Sequence, residues 1–170
     1  MDTDDDEAYL AYVEQALPGL RRVAYLLCQD WHRADDLVQA TLERVYLHWR
    51  RAAQARQPAA YARTMLVRVF LTEQRTAWAR RVVLLDRPPD SAAAAEPDLA
   101  NRLALEAALR ELPPRQRAVV VLRFYCDLSV EQTAETLHCA QGTVKSQAAK
   151  GLAKLREALT ENTAAAATRS

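Results

Sequence analysis

The sequence predicts an all-α fold: two small helical domains joined by a flexible linker, the second containing a helix-turn-helix. Three observations lead there. Glycine is scarce, three in 170 residues, while Ala, Leu, Arg and Glu abound, which favours helix and leaves few turn residues for a sheet. Apolar residues recur at three- and four-residue steps through most of the chain. Between residues 84 and 98 that periodicity stops, and Pro88, Pro89 and Pro97 forbid a continuous helix. The boundaries read as a first domain over 8–83, a linker over 84–98, a second domain over 99–159 and a disordered, Ala- and Thr-rich tail over 160–170.

In the first domain, Tyr9, Leu10, Val13 and Leu17 share one helical face. Pro18-Gly19 is expected to interrupt, and Leu20, Val23, Ala24 and Leu27 to continue as a second amphipathic piece. After a turn at Gln29-Asp30-Trp31, a third helix is expected from about Arg33 to Arg50, with Leu37, Val38, Leu42, Val45, Tyr46 and Trp49 at helical spacing. A loop over 51–57 then leads to Pro58, which suits a first helical turn. At ~100° per residue, the helix from Pro58 to Arg81 turns Tyr61, Ala62, Met65, Leu66, Val69 and Phe70 toward a core. Arg63, Gln74, Trp78 and Arg81 lie opposite, flanked by Arg68 and Arg75. Guanidiniums pair with phosphates and an indole is a platform for an unpaired base, so this face suits partly melted DNA. A plainer reading packs Trp78 under the linker.

The second domain opens with a helix over 99–111, stopped by Leu112-Pro113-Pro114, and a second helix to about Tyr125. Ser129 with Gln132 three residues on has the spacing of a capping box before a short helix, Val130 to Leu137. A turn at His138-Cys139-Ala140 leads to a longer helix from about Gln141 to Leu159. Short helix, three-residue turn, longer helix, with small Ala134 at the crossing, is the helix-turn-helix pattern. In the last helix Val144, Ala148, Leu152, Leu155 and Leu159 form a buried stripe, while small Gly142, Ser146, Ala149 and Ala153 lie opposite. Small residues let a helix axis sink into a major groove, where flanking Thr143, Lys145 and Lys150 reach phosphates and bases.

Charge agrees. The net charge is only +1, but nine arginines stand against two glutamates between Thr41 and Val82, and four cations against one glutamate between Ala140 and Leu159. Two basic segments in a near-neutral chain are the footprint of a polyanion partner. Cys28, Cys126 and Cys139 are widely spaced and match the three histidines at no zinc-ligand spacing, so no metal, cofactor or disulfide framework is expected. No apolar run approaches the ~20 residues of a membrane span, and the acidic start is unlike a secretory signal, so a cytoplasmic protein is expected. There is no phosphate-binding glycine loop or nucleophile motif, and Asp35 and Asp36 point ~100° apart on a helix, so no enzyme is expected.

A helix-turn-helix alone says only that DNA is bound. However, Asp35-Asp36-Leu37-Val38-Gln39-Ala40-Thr41 resembles the Asp-Leu-Val-Gln-Glu-Thr stretch of bacterial RNA polymerase sigma factors. Leu112-Pro113-Pro114-Arg115-Gln116-Arg117 and Gly142-Thr143-Val144-Lys145-Ser146 look like the family's C-terminal promoter-binding region. The two-domain length is similar to the extracytoplasmic-function group, and Arg80-Arg81 after Trp78 resemble its sigma-E-like actinobacterial members. The resemblance spans residues ~9–158.

It implies a factor that binds polymerase core and directs promoter-specific initiation. Asp36 and Gln39 would dock on the coiled-coil clamp of the polymerase's largest subunit. Gln54 and Arg56 would lie near an extruded base of the minus-ten element, with Arg63, Arg68, Gln74, Arg75, Trp78 and Arg81 on the strand being opened. Gln141, Thr143, Lys145, Ser146, Gln147 and Lys150 would read the minus-thirty-five element. Partners would be polymerase core, promoter DNA and, where present, an anti-sigma factor, with the free chain a monomer outside the membrane. Three positions depart from the family pattern: Ala40 replaces a glutamate at the clamp contact, Arg68 or Val69 an asparagine of the melting helix, and Gln147 an arginine, which lowers the salt dependence of DNA binding. The rival reading is a stand-alone helix-turn-helix regulator, which would dimerise and bind palindromic duplex alone.

Overall fold

The computed structural model describes residues 3–80 and 97–168, all of the regular elements among them helical. In chain order these are α1 (Thr3–Cys28), α2 (Trp31–Leu47), α3 (Trp49–Gln54), α4 (Pro58–Arg80), α5 (Pro97–Glu111), α6 (Pro114–Val120), a π-helical turn (Val121–Tyr125), α7 (Val130–Leu137) and α8 (Gln141–Thr168). The linker expected over 84–98 falls outside the described residues as far as 96, and its last two residues open α5.

Three local expectations are corrected. α1 is one helix, not two: Pro18 sits inside it. Proline removes one amide donor, at a cost of ~3 kcal/mol, but Tyr9 and Tyr12 anchor the helix before the proline and Leu20, Val23, Ala24 and Leu27 after it. The long third helix breaks at His48, and Arg51 to Gln54, expected in a loop, belong to the short α3. Trp49 drives that break: it is buried and packs edge-on against Tyr9 at 5.4 Å. Finally, α8 continues to Thr168 where a disordered tail is expected over 160–170. Alanine is the strongest helix former, so the helix propagates without packing.

Asp30 caps α2, its carboxylate accepting from the Arg33 amide at 3.0 Å. The Ser129 capping box is complete. The Gln132 amide donates to Ser129 Oγ at 3.0 Å and the Ser129 amide to Gln132 Oε1 at 2.9 Å. His138 then takes a left-handed conformation, φ 51°, which reverses the chain between α7 and α8.

The two halves share a core. Leu27 and Ala24 of α1 and Leu66, Val67 and Phe70 of α4 belong to one apolar cluster with Val119, Leu122 and Val144 of the C-terminal half. A second cluster joins α5, α6 and α8 through Leu109, Leu112, Val120 and Leu155.

Candidate nucleic-acid interface

α8 is two-faced in the way its sequence predicts. Val144, Ala148 and Leu155 are buried and Leu152 and Leu159 half-buried, while Gly142, Ser146, Ala149 and Ala153 are exposed. Gln141, Thr143, Lys145, Ser146 and Lys150 all reach solvent, and Gln147 is half-buried. A methyl group built on Gly142 would meet nothing within 4 Å. The first turn follows Ala140, which has no side-chain acceptor to cap the leading amides. The result is a surface with a low midline of small side chains and cationic flanks, which fits a major groove and its phosphates.

On α2, Asp36 and Gln39 are exposed, with Gln39 Nε2 donating weakly to Glu43 Oε1 at 3.4 Å. Asp35 is already paired: Arg21 donates through Nε at 2.7 Å and Nη2 at 3.1 Å. That guanidinium holds the Asp35 carboxyl below its ordinary pKa. Arg21 also lies 5.1 Å over the Trp31 ring, which stacks on Tyr25 at 4.1 Å.

The residues expected at the minus-ten element are not all free. Gln54, Arg56 and Arg75 are exposed, but Arg63 and Gln74 are half-buried. Arg68 donates from Nε to the Thr136 carbonyl at 3.2 Å. The Trp78 side chain and Arg81 lie outside the described residues. Arg56, Gln57, Tyr61 and Arg68 line a 720 Å³ cleft whose other side is formed by Gln132 and Glu135 of α7.

Sequence reasoning missed the most connected polar group. Arg117 is 9% exposed and donates to the carbonyls of Leu109, Arg110 and Leu112, which end α5, and to Leu27 near the end of α1. Burial lowers its pKa to about 10. A basic residue soon after a Pro-terminated helix was the available signal, because helix-terminal carbonyls need donors. The Tyr25 hydroxyl likewise donates to Glu106 Oε2 at 2.8 Å, across 81 residues of sequence. No local pattern marks that pair.

Among the described residues no cluster of His, Cys, Asp or Glu is placed to hold a metal, and no helix is long and apolar enough to cross a membrane.

The profile of the family described as sigma-70 region 2 matches residues 12–80, and that of sigma-70 region 4 matches residues 102–155. The chain is 37% identical to the RNA polymerase sigma-E factor of Streptomyces avermitilis over 87% of its own length and 83% of the relative's. It is 33% identical to the ECF RNA polymerase sigma factor SigL of Mycobacterium tuberculosis, over 84% and 83% of the two chains. Among solved structures, the sigma factor RpoE in complex with the anti-sigma factor NepR, from Bartonella quintana, superposes with a TM-score of 0.69 at 25% identity. That match covers 91% of this chain and 98% of the other.

Proposed function

Because the chain belongs to the sigma-70 family, in its extracytoplasmic-function group, and directs RNA polymerase to promoters, we propose that three of its surfaces divide that work. Asp36 and Gln39 on α2 dock the polymerase core. Gln54 and Arg56, before α4, and Arg63, Arg68, Gln74, Arg75, Trp78 and Arg81, along and just past it, engage the minus-ten element and its displaced strand. Gln141, Thr143, Lys145, Ser146, Gln147 and Lys150 read the minus-thirty-five element.

One observation carries this reading: α8 exposes a midline of small side chains between cationic flanks while its opposite stripe is buried. A solvated helix more often carries long charged side chains along its exposed midline, whereas small ones let the helix axis sink into a major groove. Polymerase then fixes the separation of the two DNA readers, so each raises the effective concentration of the other. Unstacking a base costs a few kcal/mol, which phosphate pairing and stacking offset.

The chain supplies no catalytic residue and works in the cytoplasm as a monomer until it meets core enzyme. The Bartonella relative is held by an anti-sigma factor, and a partner of that class suits this chain too. In vitro transcription with core polymerase on genomic DNA, with start sites mapped, tests the proposal. Discrete new starts that require the chain support it, and an unchanged transcript pattern refutes it.

A further inference from the structure

Trp31 opens α2 and is 48% exposed. At ~100° per residue, Trp31, Asp35 and Gln39 follow one another on successive turns, each about 40° round from the last. His32, Asp36 and Glu43 fall in the same sector, and all six residues are exposed. They form one solvent-facing strip in which the indole is the single large apolar group. Gln39 lies about 12 Å along the axis from Trp31, so a partner that covers Asp36 and Gln39 is within reach of the ring.

The ring is braced. It stacks on Tyr25 with centroids 4.1 Å apart and planes 15° apart, and the Arg21 guanidinium stands 5.1 Å from its centre. Both supports are themselves fixed. Asp35 holds Arg21 at 2.7 and 3.1 Å, and Tyr25 donates to Glu106 at 2.8 Å. A side chain already held in one orientation loses little freedom when a partner covers it, so more of its contact energy is left for association. Trp is also enriched among the residues that carry binding energy at interfaces. Bracing α1 against α2 accounts for the stacked face. It does not account for nearly half of so large an apolar residue standing in water beside Asp36 and Gln39.

The strip also defines the chemistry of its partner. Among the described residues, Asp36 and Glu43 form no ion pair, so the facing surface must be cationic. Lysine and arginine combine a cation with an apolar stem, and either can lie along an indole while its charge meets a carboxylate.

We propose that Trp31 is a further polymerase-docking residue. The core enzyme lays a basic side chain across the exposed part of the indole, while its cations meet Asp36 and Glu43. This rests on reading α2 as the docking helix.

The test uses the full chain with a dye on a non-natural residue at exposed position 157, and anisotropy reports its binding to purified core polymerase. Trp31→Ala should keep the helical circular dichroism and weaken binding at least tenfold. Trp31→Phe, which keeps an aromatic face, should stay within threefold of wild type. A photoreactive benzoylphenylalanine at position 31 should crosslink to a core subunit, and excess unlabelled chain should abolish the crosslink. The crosslink decides the matter if Trp31→Ala does not fold. Unchanged binding by Trp31→Ala, with weakened binding by Asp36→Ala and Gln39→Ala together, overturns the proposal and leaves α2 as the docking helix. Unchanged binding by both shows that the reading of α2 is what failed. Weakened binding by Trp31→Ala without any crosslink also overturns the proposal, because the indole then only braces α2.

Discussion

Gly151 of α8 lies against Val120 of α6, so that a methyl group added at 151 would stand 2.7 Å from Val120 Cγ2. The close approach lets α8 seat its Leu155 beside Leu109 and Leu112. Gly151→Ala should therefore cost about 1–3 kcal/mol, read as a lower urea midpoint. Gly142→Ala, in the same helix with nothing within 4 Å, should leave stability unchanged or raise it by about 0.5–1 kcal/mol.

Arg117 satisfies carbonyls at the ends of two helices, and a substitute without donors strands several of them in the interior. Arg117→Met should destabilise the fold by about 3 kcal/mol in denaturant titration. Arg115→Met should cost far less, because Arg115 is exposed and makes a single bond, at 3.3 Å to the Leu137 carbonyl.

Much of the fold was legible because its signals are local. The stripe Val144–Ala148–Leu155, the Ser129–Gln132 box and the turn at His138 depend on residues within a few positions of one another. Pro18 misled for the opposite reason: packing from elsewhere holds the helix through it. The surface of α4 misled most. An angular reading gives a helix one buried face, yet Val67 on the other is fully buried, in one apolar cluster with Val119 and Leu122 of the C-terminal half. Periodicity reveals that a face is apolar, but not that a partly basic face will be covered. The exposed stripe of small residues on α8 was legible because nothing else among the described residues covers it.

The proposed surfaces should separate by mutation. Lys145→Ala with Ser146→Ala should lower promoter-directed initiation at least tenfold and leave association with core polymerase intact, since each good base contact contributes about 1–3 kcal/mol. Asp36→Ala with Gln39→Ala should weaken capture of core in a pull-down without altering the fold. Equal loss of core binding by both variants would place the DNA reader on the wrong helix.

Burial raises the Cys28 thiol from an ordinary 9 to about 11. At pH 8 about one molecule in a thousand then carries the thiolate, and a disulfide reagent should modify Cys28 about a hundredfold more slowly than in urea. From about pH 9 upward the unfolded chain ionises Cys28 while the folded chain keeps the proton. This contribution is therefore full below pH 9 and is lost as pH rises toward 11.

The dependence of DNA occupancy on polymerase tests the central claim most directly. Footprinting on a promoter mapped by transcription should show protection at both elements when chain and core are present together, and none with the chain alone at the same concentration. Full protection by the chain without core would contradict the account and mark it as a free-standing regulator.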